Sequence, residues 1–195
     1  MDSLQNKDIS KPLIKAVDTD DIVGAVLRIH LIAELLIDSW ISARTSCPNI
    51  FGSNKKDRIL IECSKKISIA ERLGLPGNVC KVISKINTIR NDFAHKINPD
   101  DIKEDDMVGL IQSATNMVNE TSEAPIEDHT LRINDENEVL KYEITIKSPP
   151  ELNKYKLLMI LLLAMKIITN HVAKNHKGKW DSNYSQFDYS VKLSN

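Results

Sequence analysis

The chain has 195 residues, 42% of them hydrophobic and 27% charged, with a formal net charge of −1; that is the balance of a globular chain able to fill one core. Near-neutrality excludes a global pull toward nucleic acid, so any RNA contact has to come from a local basic patch. Only 5% of the residues are aromatic, so the core is expected to be Ile, Leu and Val.

Met1 to Lys15 is polar and interrupted by Pro12, which is no secretory signal. Residues 1–19 are expected to be a flexible N-terminus, 20–176 a single helical domain, and 177–195 a C-terminal tail. Asp18, Thr19 and Asp20 offer an N-cap to a helix running to about Ala43. That helix is apolar nearly all round, which marks it as the central one. Its exception is a seam of His30, Glu34 and Asp38, each four residues apart and therefore stacked on one side. Buried carboxylates and an imidazole need partners. Thr45 to Gly52 is a connection, and Ser53 or Asn54 caps a second helix reaching about Leu73. Ile59, Leu60, Cys63, Ile67, Ala70 and Leu73 form its predicted buried stripe. Gly74 stops it, and Leu75 to Asn78 turns the chain, with Asn78 as the next cap.

Val79 to Ile97 is the most informative stretch. Val79, Val82, Ile83, Ile86, Ile89, Phe93 and Ile97 recur at spacings of three and four, one face of a helix. Arg90 falls near the middle of this apolar stripe, where a guanidinium needs a carboxylate or a phosphate. Asn91 and His95 lie four apart on another face, with Ser84 and Thr88 behind them. Asn98 to Asp101 ends the helix, so His95 is expected in the last turn, where a cation meets the helix dipole favourably. Two compatible readings of Arg90 follow. Glu34 or Asp38 neutralises it and locks the first helix to this one, or it grips an anion while a carboxylate orients it.

Asp106 to about Glu120 reads as another helix and Thr121 to Asp128 as a loop. The period then changes to two. Leu131 and Ile133, then Leu140, Tyr142, Ile144 and Ile146, alternate with polar residues across a turn at Asn134 to Asn137, predicting a β-hairpin over about 129–147. A long apolar helix follows from Glu151 to about His176. Its longest apolar run, Leu157 to Met165, ends at Lys166, short of the roughly 20 residues a membrane span needs, so no membrane partner is expected. The tail carries Trp180, Tyr184, Phe187 and Tyr189. Basic residues cluster at Lys81, Lys85 and Lys96 and at Lys174, Lys177 and Lys179. Each cluster reads as a solvated helix face or as a local RNA patch. Cys47, Cys63 and Cys80 are odd in number and widely spaced, which predicts reduced thiols in a cytoplasmic protein and no zinc site. No cofactor and no metal are expected. The fold class is therefore mainly α: a bundle of about five helices with a small β-hairpin inserted before the last long helix.

Arg90, followed by Asn91 and then by His95 in an Arg-x4-His spacing, resembles the signature of the HEPN superfamily of small helical domains. The longer text Arg72-Leu73-Gly74-Leu75 with Ile89-Arg90-Asn91-Asp92-Phe93-Ala94-His95 is similar to proteins grouped with the mannitol-operon repressor family. The likeness covers roughly Ile22 to Asn119, about half the chain. It implies a HEPN-like bundle, a homodimer, and a metal-independent endoribonuclease of the toxin or defence-effector kind, with an antitoxin or regulatory protein as a further partner. Arg90, Asn91 and His95 would be the catalytic residues, and Glu34, Asp38 and His30 the supporting ones. Such cleavage needs a base for the 2′-hydroxyl, an acid for the leaving 5′ oxygen, and cations for the phosphate. One Arg and one His, about 140° apart on a helix, are few for this. Two copies meeting across a two-fold axis would pool two of each. The alternative is a non-enzymatic regulator or interaction module in which Arg90 is structural. No helix-turn-helix can be placed, and the chain is not basic, so direct DNA binding is not favoured.

Overall fold

The computed structural model describes residues 10–52, 56, 59–96, 99, 101–121, 123–135, 137–175 and 188–192. Ser10–Asp18 forms a helix, α1, where the polar sequence predicts a flexible N-terminus. Its hold is apolar: Ala16 and Val17 are buried. A clamp adds to this, because Lys154 Nζ donates to the carbonyls of Val17 and Thr19 at 3.4 and 2.7 Å.

The central helix α2 spans Ile22–Thr45. Its cap is Asp21, one residue beyond the predicted trio, and the Asp21 carboxylate accepts from the Val23 N–H at 3.0 Å. Ala25, Val26, Ile29, Ala33, Leu36, Ile37, Trp40 and Ile41 are all buried, as a helix apolar on most sides should be. It packs against α1 and against the three longer-range partners described next.

Helix α3 is Cys63–Arg72, shorter than its predicted stripe. Ile59 and Leu60 are 55% and 83% exposed and lie outside the helix. The Ile59 N–H donates to the Phe51 carbonyl at 2.9 Å, a loop contact that helical geometry would not allow. The predicted caps Ser53 and Asn54 lie outside the described residues. The C-terminal end follows the prediction. Gly74 has φ +94°, and the N–H groups of Gly74 and Leu75 return to the carbonyls of Glu71 and Ala70 at 2.9 and 3.0 Å. That is a Schellman motif, which requires the left-handed residue.

Helix α4, Gly77–Ala94, carries the Arg-x4-His stretch. Asn78 does not cap it. The Asn78 N–H instead donates to the carboxylate of Glu120 at 3.2 Å, so a negative charge from the next helix sits at the positive end of this one. Val79, Val82, Ile83, Ile86, Ile89 and Phe93 are buried as predicted; Ile97 and Asn98 lie outside the described residues. Helix α5, Glu104–Thr121, opens with three acidic residues, Glu104, Asp105 and Asp106, and packs along α4.

The predicted hairpin is present. Strands β1 (Thr130–Asn134) and β2 (Leu140–Ile144) pair antiparallel, with Leu131 opposite Ile144 and Ile133 opposite Tyr142. Asp135 shapes the turn by accepting from the N–H groups of Asn137 and Val139, each at 2.9 Å. Helix α6, Asn153–Asn175, follows. By length and composition Pro150–Val172 passes as a membrane-spanning helix. Leu157 to Ala164 are all buried in the bundle, the position of a core helix held between α2, α4 and α5. In the tail, Asp188–Lys192 forms β3. It pairs parallel with β1, Tyr189 opposite Leu131, giving the order β2-β1-β3. Trp180, Tyr184, Phe187, Lys177 and Lys179 lie outside the described residues.

Candidate functional site

The seam on α2 has a partner, and it is not Arg90. Lys66 on α3 reaches both carboxylates, 2.8 Å to Glu34 and 2.9 Å to Asp38. Its side chain is 4% exposed, against 21% for Glu34 and 30% for Asp38. The ammonium also lies over the Phe51 ring, 4.9 Å from its centroid. Burial alone would lower the Lys66 pKa, but the hydrogen bonds and charges of Glu34 and Asp38 outweigh it and raise the group above its usual 10.5. The expected lock between α2 and α4 is therefore a lock between α2 and α3. Lys66 stands in the apolar stripe with Cys63, Ile67 and Ala70, so the reasoning that singles out Arg90 applied to it equally.

With the seam satisfied by Lys66, Arg90 forms no ion pair among the described residues. It is half-buried on the wall of a cleft of about 410 Å3 lined by His30, Glu34, Glu62, Cys63, Ser64, Asn87, Arg90 and Asn91. Its Nη1 donates to the Asn91 side-chain carbonyl at 3.0 Å. Its Nε is buried with no hydrogen-bond partner, a donor left without an acceptor in a place where that costs free energy. Across the cleft, His30 Nε2–H donates to Asn87 Oδ1 at 2.9 Å. His30 is only 6% exposed. Burial lowers its pKa below 6.5, against the opposing pull of the Asn87 hydrogen bond and Glu34, and with a smaller lowering from Arg90 and Lys66. Its ring is thus neutral near pH 7. Burial, reinforced by Glu34, pushes the Cys63 thiol up to about 11, so it stays protonated and is a poor nucleophile.

Of the sequence-predicted residues, Arg90, Asn91, Glu34 and His30 meet in this cleft. Asp38 lies to one side, paired to Lys66 and lining a smaller recess with Ser39 and Phe51. His95 is not on the cleft wall; it is the exposed C-cap of α4. It continues an exposed polar strip of Ser84, Thr88 and Asn91, spaced four, three and four residues apart and hence on one face. Taking Arg90 as zero, Asn87 and Asn91 fall at about 60° and 100° and the rest of the strip at about 120–160°. Asn91 is thus the border between cleft and strip. Sequence reasoning missed Asn87 and Lys66. Asn87 was detectable as the residue one turn before Arg90 on its own face.

No family model, no curated protein and no solved structure matches the chain.

Proposed function

We propose that the chain is a metal-independent endoribonuclease acting in the cytoplasm as a homodimer, of the HEPN kind that its Arg-x4-His stretch resembles. One observation carries this reading. Arg90, half-buried and without an ion pair among the described residues, lines a polar cleft that also holds an imidazole, an arrangement that a phosphate would complete. Asn91 steers the guanidinium. His95, on the adjacent strip, would enter the cleft of a second copy, so that each composite site takes Arg90 from one chain and His95 from the other. A toxin or defence role with an antitoxin-like partner belongs to the same reading.

A second reading is supported by the exposed place of His95: a regulator or interaction module similar to the mannitol-operon repressor family, with no cleavage. The two separate in one assay. Purified protein is incubated with a mixed RNA pool in excess chelator. The nuclease reading expects fragments ending in 2′,3′-cyclic phosphate. His95→Ala should slow cleavage about 10²–10⁴-fold while changing stability by no more than the roughly 0.3–1 kcal/mol of a dipole interaction. Intact RNA with the wild type would select the regulator.

A further inference from the structure

We propose that His30 is the residue that meets the ribose 2′-hydroxyl of an RNA strand whose phosphate sits on Arg90, and that it takes the 2′-hydroxyl proton, with Asn87 as its positioning residue. The proposal rests on the ribonuclease reading and assigns the base within one chain, leaving His95 of a second copy as the acid.

Three placements support it. First, two helices bring a buried imidazole and a guanidinium to one cleft. Second, the Nε2–H of His30 is committed to Asn87 Oδ1 at 2.9 Å, so in the neutral ring the basic lone pair is on Nδ1. Third, Asn87 and Arg90 are three residues apart on α4, about 4.5 Å along its axis, so the residue that orients the ring and the residue that would grip the phosphate are neighbours on one helix. The other charged and titratable groups around His30 do not compete. Glu34 on its own helix is held by Lys66 of α3, Cys63 of α3 stays protonated, and Glu62 is exposed at the rim. The depressed pKa of His30 keeps the ring in its base form at neutral pH.

The step balances without an oxidant or a metal. The 2′-O–H bond breaks and its proton passes to His30 Nδ1. The 2′ oxygen bonds to the adjacent phosphorus, and the P–O5′ bond breaks with its electron pair on O5′. That oxygen takes a proton from the imidazolium of His95 in the second copy. The products are a 2′,3′-cyclic phosphate and a 5′-hydroxyl, and the two histidines restore their protonation through solvent.

The test uses the full chain in chelator with two readouts. In the cleavage assay, His30→Gln should be slowed at least about 100-fold with its melting transition retained. Asn87→Ala should move the acid limb of the kcat profile to lower pH, because the hydrogen bond that raises the His30 pKa is gone. In the second readout, the His30 ring 15N resonances are followed while adding ribonucleoside 3′-monophosphates, which keep the 2′-hydroxyl but have no leaving group. They should move, and should not move with the 2′-deoxy analogues. Cleavage by folded His30→Gln within threefold of wild type overturns the assignment and leaves the ribonuclease reading intact. Should that variant not fold, the Asn87→Ala profile and the resonances decide. Should the wild type cut no RNA, the ribonuclease reading falls, and the 2′-hydroxyl contact is decided by the resonances alone: equal response to both ligand sets, or none, overturns it.

Discussion

At the scale of single residues, the apolar stripe of α4 implies that removing Arg90 strands a carboxylate, at about 3–5 kcal/mol. The structure moves that cost to Lys66. Lys66→Met removes the cation that Glu34 and Asp38 share and should lower stability by about 2–4 kcal/mol, less than for a sealed pair because both carboxylates keep some water. Arg90→Ala removes an unmet donor and some stem packing, and should cost under about 1 kcal/mol. Urea unfolding of the two variants checks the order; an Arg90→Ala loss exceeding that of Lys66→Met would contradict the assignment. The pH dependence has a definite sign. His30 and His129 are both held below 6.5, chiefly by burial, so the unfolded chain binds more protons in mild acid. Their contribution is complete above pH 6.5 and is lost as pH falls through the depressed values. The melting temperature should therefore drop on acidification below 6.5, and less so in His30→Gln. Lys66 acts at the other end: its raised pKa gives stability that is complete below 10.5 and lost as pH climbs through the folded value.

Among the elements, α3 and α4 are joined by a turn whose geometry depends on one atom's absence. Gly74 has φ +94°, and a Cβ there would meet nothing closer than Arg44 Nη2 at 4.0 Å. Crowding is thus no obstacle, and Gly74→Ala should cost about 1–2 kcal/mol through the backbone alone. Gly74→Asn should cost less, since Asn tolerates the left-handed region. Thermal melting of the pair separates backbone strain from packing; equal losses would mean that the turn rearranges. The start of α4 makes a complementary case. Glu120→Gln keeps an acceptor for the Asn78 N–H but removes the charge at the helix terminus, and should cost about 0.3–1 kcal/mol, less in high salt.

For the whole molecule, the proposed dimer would use the exposed strip of Ser84, Thr88, Asn91 and His95, where the small side chains of Ser84 and Thr88 permit two α4 helices to approach closely. We expect a dimer by light scattering at tens of micromolar. In the proposed dimer Thr88→Arg would place two guanidinium groups near the two-fold axis, beside the exposed Lys81 and Lys85, and should give a folded monomer, without RNA cleavage on the proposed nuclease reading. A wild type that stays monomeric would remove the composite site, and a Thr88→Arg dimer would place the interface elsewhere.

What the sequence determined by itself is what local periodicity encodes. The spacing of Val79 to Phe93 gives the buried face of α4, the alternation of Leu131 to Ile144 gives the hairpin, and Gly74 gives the stop of α3, because each depends on neighbours in the chain. The same locality placed His30 with Glu34 on one face of α2, and Asn91 with His95 on one face of α4. Which cation meets which carboxylate is a question of how helices cross, and a wheel does not contain it. Lys66 and Arg90 both stood in apolar stripes, and only the packing of α3 against α2 gave the seam to Lys66 and left Arg90 facing an open cleft. The pairing of His30 with Asn87, 57 residues apart, the capping of α4 by Glu120, and the addition of β3 beside β1 are likewise decided by tertiary contact, since nothing in either local segment specifies its partner.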